Sequence, residues 1–224
     1  MKTSDIEVNL IDHCGTDASV SNAARVSFNK WKDEFDSKDE KLIQYLAKHK
    51  HFSPFNHSFI SVRVKAPVFV ARQLVKHKFM PWNEVSRRYV KGDVEFYQTD
   101  NWRKSAENVK QGSSEKEFVN EYLDAADSFP CQVSTDISIH EDNSVELYNK
   151  LIDLGICSEQ ARQVLPQSMM TTWIWSGTLG AFCDMLKLRL DLHTQLETRV
   201  VAEKIAEIVK ELFPVSYKAL VEGE

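Results

Sequence analysis

Apolar and polar residues alternate along several short stretches of the chain, which is the pattern of half-buried β-strands. The clearest is Phe59–Lys65, where Ile60, Val62 and Val64 fall on one face. Three shorter or more apolar stretches also have the composition of strands: Ile6–Leu10, Val94–Tyr97 and Met169–Trp175. The sequence therefore predicts a β-sheet in the core.

Other segments repeat their apolar residues every three or four positions, as an amphipathic helix does. In Asp39–His49 this spacing places Ile43 and Leu46 on one face. Pro67 suits the first turn of a helix over Val68–Phe79, which Pro81 ends. The remaining predicted helices are Ser21–Ser27, Ser144–Leu154 with Gly155 as its C-terminal cap, Ser158–Val164, Thr178–Leu190 and His193–Phe213.

The stretch from residue 98 to 142 is polar and less regular than the rest of the chain. Within it, Glu115–Ala126 has a helical pattern, and residues 111–114 and 138–143 have the composition of surface loops. No repeat, linker or low-complexity tract divides the chain. We therefore predict a single domain over residues 1–224, with a variable polar insert at about 98–142.

The composition is typical of a soluble globular protein, with 42% hydrophobic and 27% charged residues. No apolar run approaches the roughly 20 residues of a membrane span, and the N-terminus lacks the apolar core of a signal peptide. The four cysteines form no CxxC pair, which favours reduced thiols and a cytoplasmic location over a disulfide framework. No HExxH motif or comparable spacing occurs, and we expect no metal site.

The distribution of charge along the chain is unusual. The chain has a formal net charge of −5, yet the segment from Arg63 to Lys91 contains eight basic residues and one acid, Glu84, a local charge of +7. A cationic segment in an acidic protein favours a site for an anionic small molecule over general nucleic-acid binding. A solvated basic face is the simpler alternative, and spacing alone does not separate the two.

Candidate chemistry is concentrated between Arg72 and Tyr89. If the preceding helix extends to Phe79, Arg72 and Lys76 share a face, and an anion between them would offset their repulsion. Ser86 has no base beside it in sequence, so the arginines next to it fit anion binding better than nucleophilic catalysis. Because the chain lacks a GxGxxG motif, a Rossmann dinucleotide site is a poor explanation.

Five sequence blocks resemble the flavin-dependent thymidylate synthase family. That family's signature is Arg-His-Arg, seven residues and then Ser, and here Lys76-His77-Lys78 is followed after seven residues by Ser86. The other four blocks are Ala24-Arg25-Val26-Ser27-Phe28, His51-Phe52-Ser53-Pro54-Phe55-Asn56-His57, Ala161–Pro166 and Leu188–Gln195. Five blocks in the same order are far more specific than any one, and they span most of the chain except residues 98–142.

The resemblance implies an α+β fold, in which a single domain has a central, mostly antiparallel sheet flanked by helices. It also implies a homotetramer with active sites at subunit interfaces. The expected reaction is reductive methylation of dUMP to dTMP, with methylenetetrahydrofolate as carbon donor and NADPH-reduced FAD as hydride donor. The expected partners are dUMP, the folate and further copies of the chain, with no nucleic acid and no membrane.

The resemblance also implies site residues, carried over position by position. Arg162 and Ser86 would be catalytic: Arg162 would contact the uracil ring as it gains electron density, whereas Ser86 need only bind nucleotide when flavin supplies the hydride. The residues that match dUMP-binding positions are Gln73, Lys76, Glu84, Ser86, Arg87, Arg88, Arg162 and Arg189. The residues that match FAD-binding positions are His51, Ser53, Asn56, Lys76, His77, Lys78, Glu84 and His193.

The chain departs from the family pattern at several of these positions. Lys76 and Lys78 replace arginines, which keeps the charge but loses the planar fork. Asn56 stands where the family often has Glu, and Asp184 where an amide is common. These departures leave a catalytically weak flavin- or nucleotide-binding homologue as an alternative to the synthase. A nucleic-acid-binding module is a third interpretation, which the net charge of −5 disfavours.

Overall fold

The computed structural model describes residues 2–99, 101–106, 113–123 and 129–223. The helices in these ranges are α1 (Asp17–Arg25), α2 (Ser37–Lys48), α3 (Val68–Leu74), α4 (Val133–Asp153), α5 (Ser158–Ala161), α6 (Leu179–Arg189), α7 (Leu196–Leu212) and α8 (Pro214–Tyr217). The strands are β1 (Lys2–Thr3), β2 (Glu7–Cys14), β3 (Phe59–Pro67), β4 (Trp82–Glu84), β5 (Glu95–Phe96), β6 (Arg103–Ser105), β7 (Ser113–Phe118), β8 (Glu121–Tyr122), β9 (Cys131–Gln132) and β10 (Met170–Thr178). Tight 3-10 turns occur at Val26–Phe28, Ser53–Asn56 and Arg162–Val164, and a π-helical turn at Lys218–Glu222.

Within the described ranges, the largest sheet has four strands in the order β2-β3-β10-β4. Strands β3 and β10 are antiparallel, because the Leu179 N–H donates to the Ser58 carbonyl at 2.9 Å, and three residues further along β3 the Ser61 hydroxyl meets that of Ser176 at 2.8 Å. This central antiparallel sheet and the surrounding helices confirm the predicted combination of α and β structure.

Strand β3 shows why the alternating pattern was informative. Ile60, Val62 and Val64 are fully buried, whereas Phe59 and Arg63 on its other face are exposed. A period of two residues is the repeat of a strand with one buried face. The prediction of a strand over this segment is therefore confirmed, with its end extended to Pro67.

Local capping residues mark the beginning of α2 and the end of α4. The Asp36 carboxylate accepts from the Lys38 N–H at 2.8 Å, while Asp39 accepts from the Asp36 N–H at 2.9 Å. This reciprocal capping box satisfies N–H groups that the first turn of α2 leaves without helical partners. At the end of α4, Gly155 has φ +82°, which confirms the predicted C-terminal glycine.

The chain forms two compact units, each with buried apolar side chains. Unit 1 contains Met1–Ile6, Lys65–Gln73 and Glu84–Thr172, and its buried residues include Phe96, Tyr148 and Met170. Unit 2 contains Glu7–Val64, Leu74–Asn83 and Trp173–Glu224, and its buried residues include Ile43, Phe182 and Val209. The single domain over residues 1–224 stays a prediction. Within the described residues, no helix is both long and apolar enough to cross a membrane.

The predicted helix over Val68–Phe79 is wrong in its second half, because α3 ends at Leu74. The His77 N–H bonds to the Leu74 carbonyl at 3.1 Å, which closes a turn tighter than an α-helical one. Phe79 then adopts φ +61°, in the left-handed region. Arg72 and Lys76 therefore do not share a helical face.

The predicted helix over Glu115–Ala126 is also wrong where the structure describes it. Strand β7 pairs antiparallel with β6, and β8 pairs antiparallel with β9. Each pairing joins residues 8 to 15 positions apart, so the periodicity within a single segment did not reveal it. Residues 124–126 lie outside the described ranges, as do residues 111 and 112 of the predicted loop 111–114, whose last two residues belong to β7.

The surface loop predicted at residues 138–143 is instead part of α4. The polar composition of this segment suggested an exposed loop, yet Glu141 is fully buried. The Glu141 carboxylate accepts hydrogen bonds from the Ser168 hydroxyl at 2.5 Å and the Gln98 amide at 3.3 Å. Both bonds compensate for the cost of removing a carboxylate from water, so a polar residue occupies a core position.

Candidate active site

Unit 1 contains a cavity of about 670 Å³, a volume typical of small-molecule sites. Among the residues that the structure describes, its charged lining comprises four bases, Lys65, Arg72, Arg87 and Arg162, and four acids, Glu84, Asp93, Glu95 and Glu159. The formal charge of this lining is therefore zero. The local charge of +7 along the sequence is thus not the charge of the cavity, because only three of those eight bases line it and acids from outside Arg63–Lys91 also line it.

Backbone and hydroxyl groups fix the direction of two charged side chains in this cavity. The Arg87 guanidinium donates from Nη1 to the Gly92 carbonyl at 2.8 Å and from Nη2 to the Asp93 carbonyl at 2.9 Å. The Glu84 carboxylate accepts from the Thr171 hydroxyl at 2.8 Å. These bonds use two of the five N–H donors of the guanidinium and hold its plane.

The Arg162 side chain reaches the same cavity from the turn that follows α5. The turn closes where the Leu165 N–H bonds to the Arg162 carbonyl at 3.2 Å, just before Pro166. The Arg162 side chain is exposed, so its guanidinium is accessible to a ligand from solvent.

Ser86 and Arg88 lie close to this lining. The Arg88 guanidinium forms an ion pair with Glu159, which lines the cavity. The Ser86 hydroxyl accepts from the Arg88 N–H at 3.3 Å, so it supports the turn that carries the arginines.

Only part of the predicted nucleotide set gathers in unit 1. Glu84, Arg87 and Arg162 line the cavity, and Gln73 belongs to the same unit at the end of α3. Lys76 and Arg189 belong to unit 2. Among the other residues of the lining, Glu159 and Thr171 were not predicted, and Arg72 was considered only as part of the basic segment. Nothing local linked Thr171 to Glu84.

Unit 2 contains a second cavity, of about 630 Å³, whose lining is mostly apolar. Two predicted flavin residues, His51 and Asn56, lie on its wall. Phe52 and Phe79 also line it and are highly exposed, at 72% and 89% of their surfaces. Aromatic rings at the edge of an apolar cavity suit a planar heterocyclic ligand.

His77 and Arg189 contact each other in unit 2. The Arg189 Nε donates to the His77 Nε2 at 3.0 Å, so the His77 ring must be unprotonated at that nitrogen. Burial lowers the pKa of His77, and the positive charge of Arg189 lowers it further. The sequence had assigned these two residues to different ligands, whereas the structure makes them partners.

The remaining predicted flavin residues are not part of the cavity lining in the described structure. Ser53 begins the turn that ends at Asn56, and Lys76 and Lys78 are exposed beside His77. His193 is 83% exposed and precedes α7. Its backbone N–H and its Nδ1 approach the Asp191 carboxylate at 2.8 and 2.9 Å, and these bonds lower the pKa of Asp191.

Sequence reasoning missed further residues of this cavity, including Lys50, Phe79, Thr178, Gly180 and Lys187. Lys50 and Phe79 both adopt left-handed backbone conformations, with φ +57° and +61°. Neither residue type favours that region, so the sequence carried no signal of these turns.

The comparisons with known proteins agree over most of the chain. Residues 9–215 match the family model described as Thymidylate synthase complementing protein. A flavin-dependent thymidylate synthase from Wolbachia pipientis wMel is 38% identical over 218 residues, which cover 96% of this chain and 73% of that protein. Another from Thermosipho melanesiensis is 36% identical over 212 residues, covering 95% of this chain and 89% of that protein.

A solved structure shares the fold over nearly the whole chain. It is the crystal structure of a UMP/dUMP methylase, PolB from Streptomyces cacaoi, bound with 5-Br dUMP. The TM-score is 0.80 at 29% identity, covering 98% of this chain and 96% of that chain. Because the family model matches residues 9–215 and relatives above 30% identity match over most of their length, the chain belongs to the flavin-dependent thymidylate synthase family.

Proposed function

We propose that the chain methylates dUMP to dTMP and that it uses a flavin as the hydride carrier. The observation that supports this most is the unit 1 cavity, in which Arg87, Arg162 and Glu84 converge from separate segments. Family membership agrees with the reaction, and the fold neighbour is a methylase of UMP and dUMP.

The nucleotide has groups that match this cavity. Arg72 and Arg87 offer planar forks suited to a phosphate, and the bonds from Arg87 to the backbone hold its fork in place. Glu84, fixed by Thr171, can accept from a uracil N–H or a sugar hydroxyl. Arg162 is the residue that we assign to the uracil ring, where its charge would stabilise added electron density.

The unit 2 cavity fits a flavin by the chemistry of its lining. His51 and Asn56 are polar groups on an otherwise mostly apolar wall, and Phe52 and Phe79 offer ring faces. The exposed ammonium groups of Lys76 and Lys78 can pair with the diphosphate of FAD, and His77 and His193 of the same unit complete the proposed set. When bound, the flavin supplies the hydride, so the protein binds, orients and polarises.

The cosubstrates and the assembly belong to the same proposal. Methylenetetrahydrofolate would supply the carbon and NADPH would reduce the flavin, in a cytoplasmic homotetramer. Unit 2 exposes large apolar side chains that a partner subunit could cover, among them Phe28 at 76% and Trp31 at 72% exposure. Exposed apolar groups close in sequence are a feature of interaction surfaces.

The decisive experiment is an assay of purified protein with FAD, NADPH, methylenetetrahydrofolate and dUMP, with UMP in parallel. We expect a flavin absorption spectrum, a change in that spectrum on adding dUMP, and formation of dTMP. A protein that binds no flavin after reconstitution and forms no dTMP would refute the proposal. Flavin binding without any methylated product would instead support the catalytically weak homologue.

A further inference from the structure

Three residues from two segments meet at one point of the unit 2 cavity wall. Asn56 ends the 3-10 turn Ser53–Asn56, and Thr178 and Gly180 stand at the beginning of α6. The Thr178 hydroxyl donates to the Asn56 Oδ1 at 2.8 Å and accepts from the Ala181 N–H at 3.2 Å. One hydroxyl thus caps the helix and holds the amide.

The electrostatics of the helix terminus favour this orientation of the amide. The first turn of α6 carries a partial positive charge, which attracts the carbonyl end of the Asn56 amide rather than its NH₂ end. The Thr178 hydroxyl hydrogen also needs an acceptor, which Oδ1 supplies and Nδ2 does not. The Nδ2 group is therefore directed away from the helix, and within the described residues no acceptor is hydrogen-bonded to it.

Gly180 provides the space that the amide occupies. A Cβ atom at this position would lie 2.5 Å from the Asn56 Oδ1, closer than real side chains approach one another. Gly180 does not adopt a left-handed conformation, so the backbone does not itself require glycine there. The requirement is for room beside Asn56.

We propose that Thr178 and Gly180 are positioning residues that fix Asn56 as a hydrogen-bond donor toward the flavin. The Nδ2 group would donate to an acceptor oxygen or nitrogen of the heterocyclic ring. Position 56 would then donate a hydrogen bond, whereas the ionised glutamate that the family pattern often places there can only accept one. This inference rests on the proposed placement of flavin in the unit 2 cavity.

The direct test measures the dissociation constant of FAD and its absorption spectrum for a set of variants. Asn56→Asp keeps the acceptor for Thr178 but replaces the NH₂ donor with a second acceptor. Asn56→Leu removes the donor without adding charge. We expect both to bind FAD about 3- to 10-fold more weakly, the range for one lost hydrogen bond, with a shifted flavin spectrum.

Variants of the positioning residues separate this role from a purely structural one. Thr178→Val should weaken FAD binding by a similar factor, and Thr178→Ser, which keeps the hydroxyl, should restore it. Gly180→Ala should weaken FAD binding while leaving the thermal midpoint unchanged or higher, since alanine favours a helix. A structural defect would instead lower the midpoint and the affinity together.

Two outcomes would overturn the inference in distinguishable ways. Wild-type affinity and spectrum in Asn56→Asp, Asn56→Leu and Gly180→Ala would refute the donor role while leaving the proposed function intact. A wild-type protein that binds no FAD would refute the proposed placement of flavin, and the donor role with it.

Discussion

The pair formed by His77 and Arg189 shows how one side chain sets the protonation state of another. Burial and the guanidinium charge both disfavour a protonated ring, and Nε2 is already occupied as an acceptor. His77 is therefore neutral near pH 7, with its proton on Nδ1. Sequence spacing gave no indication of this, because the two residues are 112 positions apart.

We expect the pKa of His77, measured by NMR titration, to lie below the ordinary value of about 6.5. Arg189→Gln should raise it, because the variant removes a positive charge beside the ring. Arg63→Gln, which changes an exposed cation of β3 in the same unit, is the control and should leave it unchanged. An unchanged titration in Arg189→Gln would contradict the electrostatic coupling.

The same shift has a consequence for stability. Because the folded protein binds the His77 proton less readily than the unfolded chain, the unfolded state gains protons first as the pH falls below about 6.5. The contribution of His77 to the free energy of unfolding is therefore complete above that pH. It should decline on acidification, as denaturant titrations at several pH values would show.

Arg162→Ala should abolish or severely reduce dTMP formation while flavin stays bound. Removing one group that stabilises developing charge typically lowers turnover by about 10²–10³-fold. Single-turnover rates and the flavin spectrum would be measured together, with Arg63→Ala as the control. Near-normal turnover in Arg162→Ala would remove this residue from the catalytic role.

At the scale of elements, helix α2 depends on a buried carboxylate. Asp39 bonds to Lys32 at 2.7 Å and pairs with Arg25, while its own side chain is only 1% exposed. Burial raises the pKa of Asp39, but the bonds from Lys32, the Asp36 N–H and Arg25 outweigh it and hold the pKa below its usual range. The ionised form therefore stabilises the fold.

Asp39→Asn should lower the free energy of unfolding by about 3 kcal/mol, the lower end of the range for breaking a buried ion pair. Urea denaturation at pH 7 would measure it, with Glu40→Gln on the exposed side of the same helix as the control. In the wild type this stabilisation is present above about pH 4 and declines as the pH falls toward the lower pKa of the folded state. A difference below about 1 kcal/mol from the control would contradict the ion-pair account.

Helix α6 carries a cysteine that should be chemically inert. Cys183 is fully buried, and burial raises the pKa of its thiol to about 12. Since the thiolate is the reactive form, we expect no alkylation by iodoacetamide in the native protein and full alkylation in urea. Peptide mass spectrometry would locate the label, and rapid native labelling of Cys183 would contradict its burial in the fold.

Elements differ in how far the sequence predicted them. The alternation in β3 and the glycine after α4 report local requirements, so both predictions were confirmed. The end of α3 and the pairing of β7 with β6 have no such marker, because no glycine or proline directly follows Leu74 and the composition of Ser113–Phe118 suited a helix equally well. In the proposed site, the sequence blocks predicted Glu84, Arg87 and Arg162, whereas Glu159, which lines the same cavity, became visible only in the folded chain.

At the scale of the whole molecule, the proposed homotetramer should be detectable in solution. Light scattering after size exclusion should give four times the mass of the chain. If active sites lie at subunit interfaces, mixed tetramers of Arg162→Ala and His51→Ala subunits should regain dTMP formation that neither variant has alone. A monomer with wild-type activity would refute both the assembly and the shared sites.

Among the described residues, four bases and four acids balance in the unit 1 cavity, and this balance affects how a nucleotide arrives there. A phosphate dianion approaching a cavity without net charge, on a protein of net charge −5, meets little attraction beyond a Debye length of about 8–10 Å. Encounter should then be governed by diffusion and orientation rather than by long-range steering. Stopped-flow association rates for dUMP should therefore not fall as the ionic strength rises, whereas a cavity with net positive charge would make them fall.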